Sequence, residues 1–371
     1  PANSDSASWT SVTRNATFNV SVAAGDFVYV RWSTEDVSGS GGRDQLGLDD
    51  IFVTTDGVTN PIPPAENALR IVSYNVANSA QDPSDAGPFR TIFQAIGLES
   101  VEDVTRPIDL LVLQETDPQS SNRIESIFDN LYTSNYVSEI SQNDSGDWFG
   151  FVYNSETLNL LQTEIVSGPY TRDPFRGLFR PVGASSNLSD FHVFNVHLNA
   201  GNQARRTTEA TNLRSRIDSL GDAANVFVAG DLNIDSSSET SYRRLIASGP
   251  GQVFDPIDAS GNWSDNNSFR SIHTQDPSGM MDDRFDFQLL SDDVLAAGGL
   301  SFIPGSYRAF GNNGSHSLNG PITSGNGATG NVLSALARAS DHLPLVADYR
   351  FEVASVSNPR LFYNNSVFDA A

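Results

Sequence analysis

The sequence predicts an α/β protein built from packed layers of sheet and helix, and three observations support this fold class. From residue 68 onward, apolar runs typical of strands alternate with segments of helical periodicity. Hydrophobic residues make up 38% of the 371-residue chain and aromatic residues 10%, which is enough for a sizeable core. No apolar run approaches the roughly 20 residues that a membrane-spanning helix needs. We therefore expect a large layered domain with no membrane span.

The chain before this domain has a different pattern. Strand-like runs occur at Phe18–Val22, Phe27–Trp32 and Leu46–Thr55, separated by Gly, Ser and Asp turns. Because three strands are too few for a stable sandwich, we interpret residues 1–65 as a partial β-rich module with a Pro-rich linker at its end. Residues 66–353 then form the main domain, and residues 354–371 a C-terminal linker or the start of a further module.

Within the main domain, apolar runs and helical periodicity predict the individual elements. The predicted strands are Leu69–Tyr74, Ile108–Gln114, Gly150–Tyr153, Phe191–Val196, Asn225–Ala229, Phe285–Leu290 and Leu343–Val353. The predicted helices are Phe89–Ile96, Ser120–Leu131, Ala204–Leu220 and Ser238–Ala247. The third helix carries several Arg and Glu residues and should lie on the surface, and the Gly-, Asn- and Ser-rich stretch 311–330 should be a long loop.

The charge and the residue types narrow the classes of function. The net charge is −23, and all 22 basic residues are Arg. Since an acidic protein repels a polyanion at long range, general coating of nucleic acid is excluded, whereas a local cleft lined by Arg stays open. The absence of Cys excludes disulfides, thiolate nucleophiles and Cys-based zinc sites.

Polar residues that can bind a metal or transfer a proton stand directly beside the apolar strands. They are Asn75, Glu115, His197 with Asn199, Asp231 with Asn233, and Asp341 with His342. Taken singly, each is ambiguous, because a Glu after a strand is commonly a solvated loop residue and Asp-x-Asn is commonly a turn or a helix cap. Since strand ends at one edge of a sheet lie side by side, all of them can converge in one cleft.

Together and in this order, the motifs resemble those of the endonuclease/exonuclease/phosphatase superfamily. They stand here as Ser73-Tyr-Asn75-Val, Leu113-Gln-Glu115, Asn195-Val-His197-Leu-Asn199, Gly230-Asp231-Leu-Asn233, Arg284-Phe-Asp286-Phe and Ser340-Asp341-His342-Leu-Pro. The resemblance covers roughly residues 68–351. It implies a four-layered α/β/β/α sandwich, in which two packed mixed β-sheets are flanked by helices, with the small N-terminal β segment in addition.

The resemblance also implies a metal site. Glu115 would be the main ligand, with Asn75 beside it and Asp341 sharing the ion. Oxygen ligands of this kind suit Mg²⁺ or Mn²⁺, with Ca²⁺ as an alternative.

The remaining motif residues would act on the phosphate and on the attacking water. Asp231 would orient or deprotonate the water, and Asn233 would help to hold the water or the phosphate. His197 would donate to a phosphate oxygen, with Asp286 as its orienting partner. His342 would act as a general acid/base or as a second phosphate donor, held by an acidic neighbour.

Two further residues are substrate-binding candidates. Asn199 belongs to the motif that contains His197. Arg180 resembles the family's Arg in the strand before that motif, although a surface Arg in a Pro-flanked strand explains it equally well.

These observations predict a metal-dependent phosphoester hydrolase, and the leading expectation is a secreted nuclease that binds DNA or RNA in a local cleft. The alternative is a phosphatase or phosphodiesterase acting on small or lipid phosphoesters, which the charge of −23 favours. A non-catalytic binding module is the third hypothesis, and the presence of Glu115, Asp231 and His342 argues against it. The sequence leaves the oligomeric state open.

Overall fold

The computed structural model describes residues 67–77, 79, 86–142, 148–222, 224–296 and 298–353. The predictions for residues 1–65 and 354–371 lie outside the described residues. The strands are β1 (Ala68–Asn75), β2 (Ser100–Val101), β3 (Val104–Thr105), β4 (Leu110–Thr116), β5 (Tyr136–Gln142), β6 (Trp148–Asn154), β7 (Leu158–Ile165), β8 (Phe175–Pro181), β9 (Phe191–His197), β10 (Asn225–Asp231), β11 (Val253–Phe254), β12 (Asp286–Ser291), β13 (Leu300–Phe302), β14 (Arg308–Ala309) and β15 (Leu345–Phe351).

The helices are α1 (Ala86–Leu98), α2 (Pro118–Tyr132), α3 (Gln203–Asp218), α4 (Thr240–Leu245), α5 (Asp292–Leu295) and α6 (Gly330–Ala339). Three short 3₁₀ helices cover Asn187–Ser189, Asn267–Ile272 and Ile322–Ser324. All seven predicted strands and all four predicted helices are confirmed to within a few residues. The predicted loop at 311–330 is confirmed except for the 3₁₀ turn at Ile322–Ser324 and the first residue of α6.

Two large mixed sheets form the middle of the domain. The first has the order β13-β15-β1-β4-β6-β5, with β14 also paired to β15, and the second has the order β11-β12-β10-β9-β8-β7. Among the described residues, each of these sheets contains a single parallel pair, β1 with β4 in the first sheet and β9 with β10 in the second, and the other pairs are antiparallel.

Alternating side chains along the strands create three apolar layers. On β1, Ile71 faces the other sheet, whereas Val72 and Tyr74 face α1 and α6. On the second sheet, Phe227 lies between the sheets, whereas Val228 packs toward α3 and α4. The predicted α/β/β/α sandwich is therefore confirmed.

Helix α3 covers the outer face of the second sheet, as predicted for a surface helix, but its charged residues are not all solvated. Arg206, Glu209 and Arg214 are buried. Arg206 pairs with Glu239 at 2.8 Å, and Arg214 donates to the backbone carbonyls that follow α4. These contacts satisfy buried charges and join α3 to α4.

Polar side chains also bridge the two sheets inside the apolar layer. Gln114 donates to Oδ1 of Asn195 at 2.7 Å, and Asn195 donates to the carbonyls of Leu113 and Gly150. Both residues belong to the motifs recognised in the sequence. Their role in the structure is to fix one sheet against the other, which fixes the relative positions of the strand ends.

No helix among the described residues is both long and apolar enough to cross a membrane.

Candidate active site

The predicted polar residues meet at one edge of the sandwich. Asn75 and Gln114 are register partners on the parallel pair β1 and β4, and His197 and Asp231 are register partners on β9 and β10. Asp286 begins the antiparallel strand β12 and lies opposite Asp231. Strand direction and register therefore bring both motifs of the second sheet and the Asp286 motif to the same edge.

Backbone irregularities point the side chains into this edge. Glu115 has a φ of 46° and lies where the pairing of β4 with β6 shifts register between Leu113 and Thr116. Gly230, before Asp231, has a φ of 143°, and a Cβ there would lie 1.9 Å from the carbonyl oxygen of Val196. Only glycine fits this position, because both the backbone conformation and the closeness of β9 exclude a side chain. Strained backbone of this kind is frequent at functional sites.

One oxygen atom is the centre of the cluster. Oδ2 of Asp231 lies 3.2 Å from Nδ2 of Asn75, 3.4 Å from Nε2 of His197 and 3.6 Å from Nε2 of His342. Nδ2 of Asn75 also donates to Oε1 of Glu115 at 2.9 Å. The side chains of these residues are buried except for Glu115, whose side chain is 29% exposed.

His197 lies between the two carboxylates. Its Nδ1 is 3.8 Å from Oε1 of Glu115 and, among the described residues, has no hydrogen-bond partner. Burial lowers the pKa of His197 well below its usual value, and the positive charges of Arg172 and His342 lower it further. The imidazole is therefore neutral at physiological pH and offers a lone pair toward the cleft.

The prediction that Asp286 orients His197 is wrong. Oδ2 of Asp286 instead accepts a hydrogen bond from Nδ1 of His342 at 2.8 Å. The separate prediction that an acidic neighbour holds His342 is confirmed by the same contact. The side chain of Asp286, at the first position of β12, contacts the segment that precedes β15 in the first sheet rather than His197 on β9, which lies two strands away in its own sheet.

Hydrogen bonds to neighbouring side chains also hold the backbone of His342 and Asp286. Oγ1 of Thr274 accepts from the backbone N–H of Asp286, and Oγ of Ser340 accepts from that of His342. Ser340 Oγ also donates to the carbonyl of Asn75 at 2.7 Å, which ties the His342 loop to the end of β1.

Two pKa shifts follow from this arrangement. Burial raises the pKa of Asp231 to about 7, because the attraction of His342 offsets only part of the desolvation of the carboxylate. Burial opposes the charged form of His342, but Asp286 and Asp231 overcome this effect and raise its pKa to about 10. At neutral pH, His342 is a cation and Asp231 can accept a proton.

Other predicted residues lie around this cluster. Asn233 has a φ of 51°, donates its backbone N–H to Oδ1 of Asp231 and donates its side chain to the carbonyl of Leu198. Asn199 is held by Thr171 and Glu209 on the loop after β9. Asp341 has an exposed side chain and stands outside the group formed by Glu115, His197 and Asp231.

The structure does not bring Arg180 to the site, so its assignment to substrate binding is wrong. Phe179 pairs with Phe191 at the start of β9, whereas His197 ends that strand. Arg180 therefore lies about 20 Å from the site, given a rise of about 3.3 Å per residue. Its guanidinium makes a bidentate pair with Asp190.

Arg172 is the residue that sequence reasoning missed. It lies on the loop between β7 and β8 and is close enough to His197 to lower the pKa of that imidazole. The neighbouring Thr171 is tied to Asn199 and Glu209, which anchors this loop beside the end of β9. The signal available in the sequence was an Arg in a polar turn before β8, whereas Arg176 and Arg180 lie within that strand.

The residues at this edge fit a divalent cation. Glu115, His197 and Asp231 each offer one ligand atom, and these atoms lie within 4.8 Å of one another. The unpartnered Nδ1 of His197 and the partly exposed carboxylate of Glu115 leave donor capacity facing the cleft. Asn75 is oriented by donation from the backbone N–H of Ala77 to its Oδ1.

Comparison with known proteins agrees with this geometry. The model of the endonuclease/exonuclease/phosphatase family matches residues 72–342. An endonuclease/exonuclease/phosphatase from Bacteroides vulgatus is 14% identical, with a TM-score of 0.50, covering 77% of this chain and 100% of that one. The human Nocturnin catalytic domain with bound sulfate anion is 15% identical, with a TM-score of 0.50, covering 76% and 94%. No curated protein matches the sequence.

Fold and site together define a hydrolase that acts on phosphoester bonds. The chain belongs to the endonuclease/exonuclease/phosphatase family, whose enzymes depend on divalent metal ions.

Proposed function

We propose that the protein is a secreted nuclease that hydrolyses phosphodiester bonds of DNA or RNA with Mg²⁺ or Mn²⁺. The observation that carries this proposal is the convergence of Asn75, His197 and His342 within 3.6 Å of Oδ2 of Asp231. Three strand ends and the segment before β15 contribute to it, and a structural role would not need two imidazoles on one carboxylate.

Asp231 and His342 perform complementary parts of the reaction. The phosphodiester is an anion that resists nucleophiles, and charge grows on its equatorial oxygens as water attacks. Asp231 accepts the proton of the attacking water. The backbone N–H of Asn233 donates to Oδ1 of Asp231 and holds this carboxylate in position. The cationic His342, kept in its orientation by Asp286, stabilises the developing charge on the phosphate.

Glu115, with Asn75 beside it, is the group that would hold the metal ion, and Asp231 and His197 are near enough to complete the site. When bound, the ion supplies positive charge that neutralises the phosphate oxygens. Asp341 contributes at most from the exposed rim of this site. Arg172 adds a further positive charge beside His197 and is the candidate for contact with a neighbouring phosphate.

The net charge of −23 favours a second candidate, a phosphodiesterase or phosphatase of small phosphoesters. A polyanion approaches such a surface only against repulsion, whereas a small ester does not meet this barrier to the same degree. Salt separates the two candidates. At about 1 M ionic strength the Debye length falls to about 3 Å, so nuclease activity should rise with salt if surface repulsion limits it.

The extracellular location rests on the resemblance to bacterial secreted members, and detection of the native protein in culture medium tests it.

The function is tested by assaying the purified full chain with Mg²⁺, Mn²⁺ or EDTA. Plasmid DNA, RNA, bis-p-nitrophenyl phosphate, p-nitrophenyl phosphate and sphingomyelin are the substrates. We expect nicked plasmid that disappears with EDTA. His342→Ala should abolish it, and His192→Ala, a histidine at the opposite end of β9 from His197, should not. Cleavage of the monoester alone would show a phosphatase, and full activity of His342→Ala would refute the site.

A further inference from the structure

Two buried histidines lie outside the site described above. His273 follows the 3₁₀ helix Asn267–Ile272, and His316 lies on the loop before the 3₁₀ helix Ile322–Ser324. Their side chains belong to residues that are 0% and 1% exposed. The centroids of the two rings are 6.3 Å apart, with 57° between the ring planes. The hydrolytic mechanism uses neither residue.

Three of the four nitrogens of these rings lack a hydrogen-bond partner among the described residues. Nε2 of His273 lies 2.9 Å from the carbonyl oxygen of Trp263, which can only accept, so Nε2 carries the proton and Nδ1 carries a lone pair. Within the described part of the chain, Nδ1 of His273 and both ring nitrogens of His316 have no partner. Buried polar atoms are almost always hydrogen-bonded, so three orphaned nitrogens in adjacent rings indicate a missing partner.

The arrangement of His273 is that of a metal ligand. A histidine that binds a metal through one nitrogen usually donates the other N–H to a carbonyl or carboxylate, which fixes the ring and the tautomer. Nε2 of His273 makes this contact with Trp263. The backbone around His273 is fixed as well, because Nδ2 of Asn312 donates to the carbonyls of Arg270 and His273.

The surroundings favour neutral rings and provide an oxygen atom. Burial lowers the pKa of His273 and of His316, so both rings keep a lone pair near neutral pH. The backbone carbonyl of Met281 opposes both shifts, which places its oxygen beside both rings, although it stays outside hydrogen-bond geometry. An ion about 2.0–2.1 Å from one nitrogen of each ring, with tetrahedral angles, would hold the ring centroids about 5 Å apart, so binding requires the two rings to approach by about 1 Å from the observed 6.3 Å.

We propose that His273 and His316 form a binding site for a transition-metal ion of the Zn²⁺ class, with the carbonyl of Met281 and water as further ligands. Imidazole nitrogen suits Zn²⁺, Cu²⁺ or Ni²⁺, whereas Mg²⁺ and Ca²⁺ prefer oxygen ligands. The ion differs from the hydrolytic cation both in ligand type and in the loops that hold it.

The ion has a structural role. It joins the loop around His273 to the loop around His316. These segments also meet through Asn312, through donation from Arg270 to the carbonyl of His316 at 2.8 Å, and through a backbone contact from Met281 to Gly320. Thr274, next to His273, accepts from the backbone N–H of Asp286. The ion therefore stabilises the support of the His342–Asp286 pair without touching substrate.

Titration of Zn²⁺ alone into the metal-free full chain, followed by calorimetry, tests this site. His316→Gln should bind one equivalent of Zn²⁺ less than the unmodified chain. Its affinity at this site should fall by more than the roughly 10- to 100-fold that removal of an outer-shell partner causes. His197→Gln is the matched control, because it changes a histidine of the other site and should keep this equivalent. Zn²⁺ binding by His316→Gln equal to that of the unmodified chain would overturn the proposal.

Crystals of the unmodified protein soaked in Zn²⁺ give a second test that does not depend on the folding of a variant. An anomalous peak at the zinc absorption edge, about 2.0–2.1 Å from Nδ1 of His273 and from a ring nitrogen of His316, supports the site. Zinc bound only at Glu115 and His197, with no peak between the two buried rings, would overturn it.

Discussion

Two buried polar clusters share strand β1, and they differ in how completely their groups are paired. Arg70, near the start of the strand, makes a bidentate pair with Asp348 at 2.7 and 2.9 Å and donates to the carbonyls of Ile96 and Val104. Asn75, at the end, belongs to a cluster with contacts of 3.2–3.6 Å around Asp231. Among the described residues, His197 Nδ1 and Asp286 Oδ1 lack partners.

The difference separates stability from function. A buried charge with all of its hydrogen bonds made holds its neighbours in one arrangement, and removing one partner is costly. A buried group left without a partner costs free energy in the empty protein, and a ligand can recover it. The Arg70 cluster should therefore govern folding, and the Asp231 cluster should govern turnover.

The largest expected effect is on turnover. Asp231→Asn should lower kcat/KM by roughly 10²–10⁴-fold, because the amide cannot accept the proton of the attacking water. The fold should persist, since the shape of the side chain is kept. Hydrolysis of bis-p-nitrophenyl phosphate and circular dichroism measure the two quantities. Asp190→Asn, which alters an acid near the start of β9, is the control and should keep its activity. Equal losses in both variants would contradict the assignment.

The second effect is on folding. Arg70→Met should lower the free energy of unfolding by up to roughly 3–5 kcal/mol, because the buried Asp348 loses its bidentate partner and keeps only the longer contact with Arg308 at 3.8 Å. Urea denaturation measures it, and activity per folded molecule should not change. Arg180→Met breaks a pair whose Arg side chain is 41% exposed, and its effect on the free energy of unfolding should be much smaller. A similar cost for both substitutions would show that burial does not set the difference.

Much of this comparison could be predicted from the sequence. Strand ends and motif order predicted that Asn75, Glu115, His197, Asp231 and His342 converge, and the structure brings these five together. The alternation of strand and helix patterns along the chain also predicted layers of sheet and helix, and the resemblance implied the four-layered sandwich.

The pairing of side chains could not be predicted in the same way. Asp286 contacts His342 rather than His197, because pairing depends on the register of β12 and on the direction of its first side chain. Arg172 lies on the loop before β8 and Arg180 near the end of that strand, so the direction of β8 brings the first toward the site and the second away from it. Such choices depend on three-dimensional distances that a pattern of residue types does not record.

The pairing of Asp286 with His342 gives the third prediction. Asp286→Asn should lower kcat by roughly 5- to 150-fold, which corresponds to about 1–3 kcal/mol for a lost charged partner. If Asp286 acts through His342, the double variant Asp286→Asn/His342→Ala should be no worse than His342→Ala alone. Losses that multiply would mean that Asp286 serves a different group, such as His197. Steady-state kinetics of the three variants distinguish these outcomes.

The smallest expected effect is a pH dependence of stability from His192, far from the cleft on β9. Its Nδ1 accepts from Arg176 at 2.8 Å, and burial, together with the charge of Arg176, lowers its pKa from 6.5 to about 4. Between pH 6.5 and 4 the unfolded chain therefore takes up a proton that the folded protein does not, so this contribution to stability is lost as the pH falls. His192→Gln keeps an acceptor for Arg176 but does not titrate.

Urea midpoints at pH 7.5, 6.5, 5.5 and 4.5 for the unmodified chain and for His192→Gln isolate the contribution of His192 to the pH dependence of stability. Asp231, whose raised pKa has the opposite effect over pH 3.8–7, is present in both proteins and cancels in the difference. The advantage of His192→Gln should grow as the pH falls below 6.5, because only the unmodified chain binds the extra proton on unfolding. A difference that stays constant across the series would mean that His192 titrates alike in the folded and unfolded states, and that its contact with Arg176 does not depend on the neutral ring.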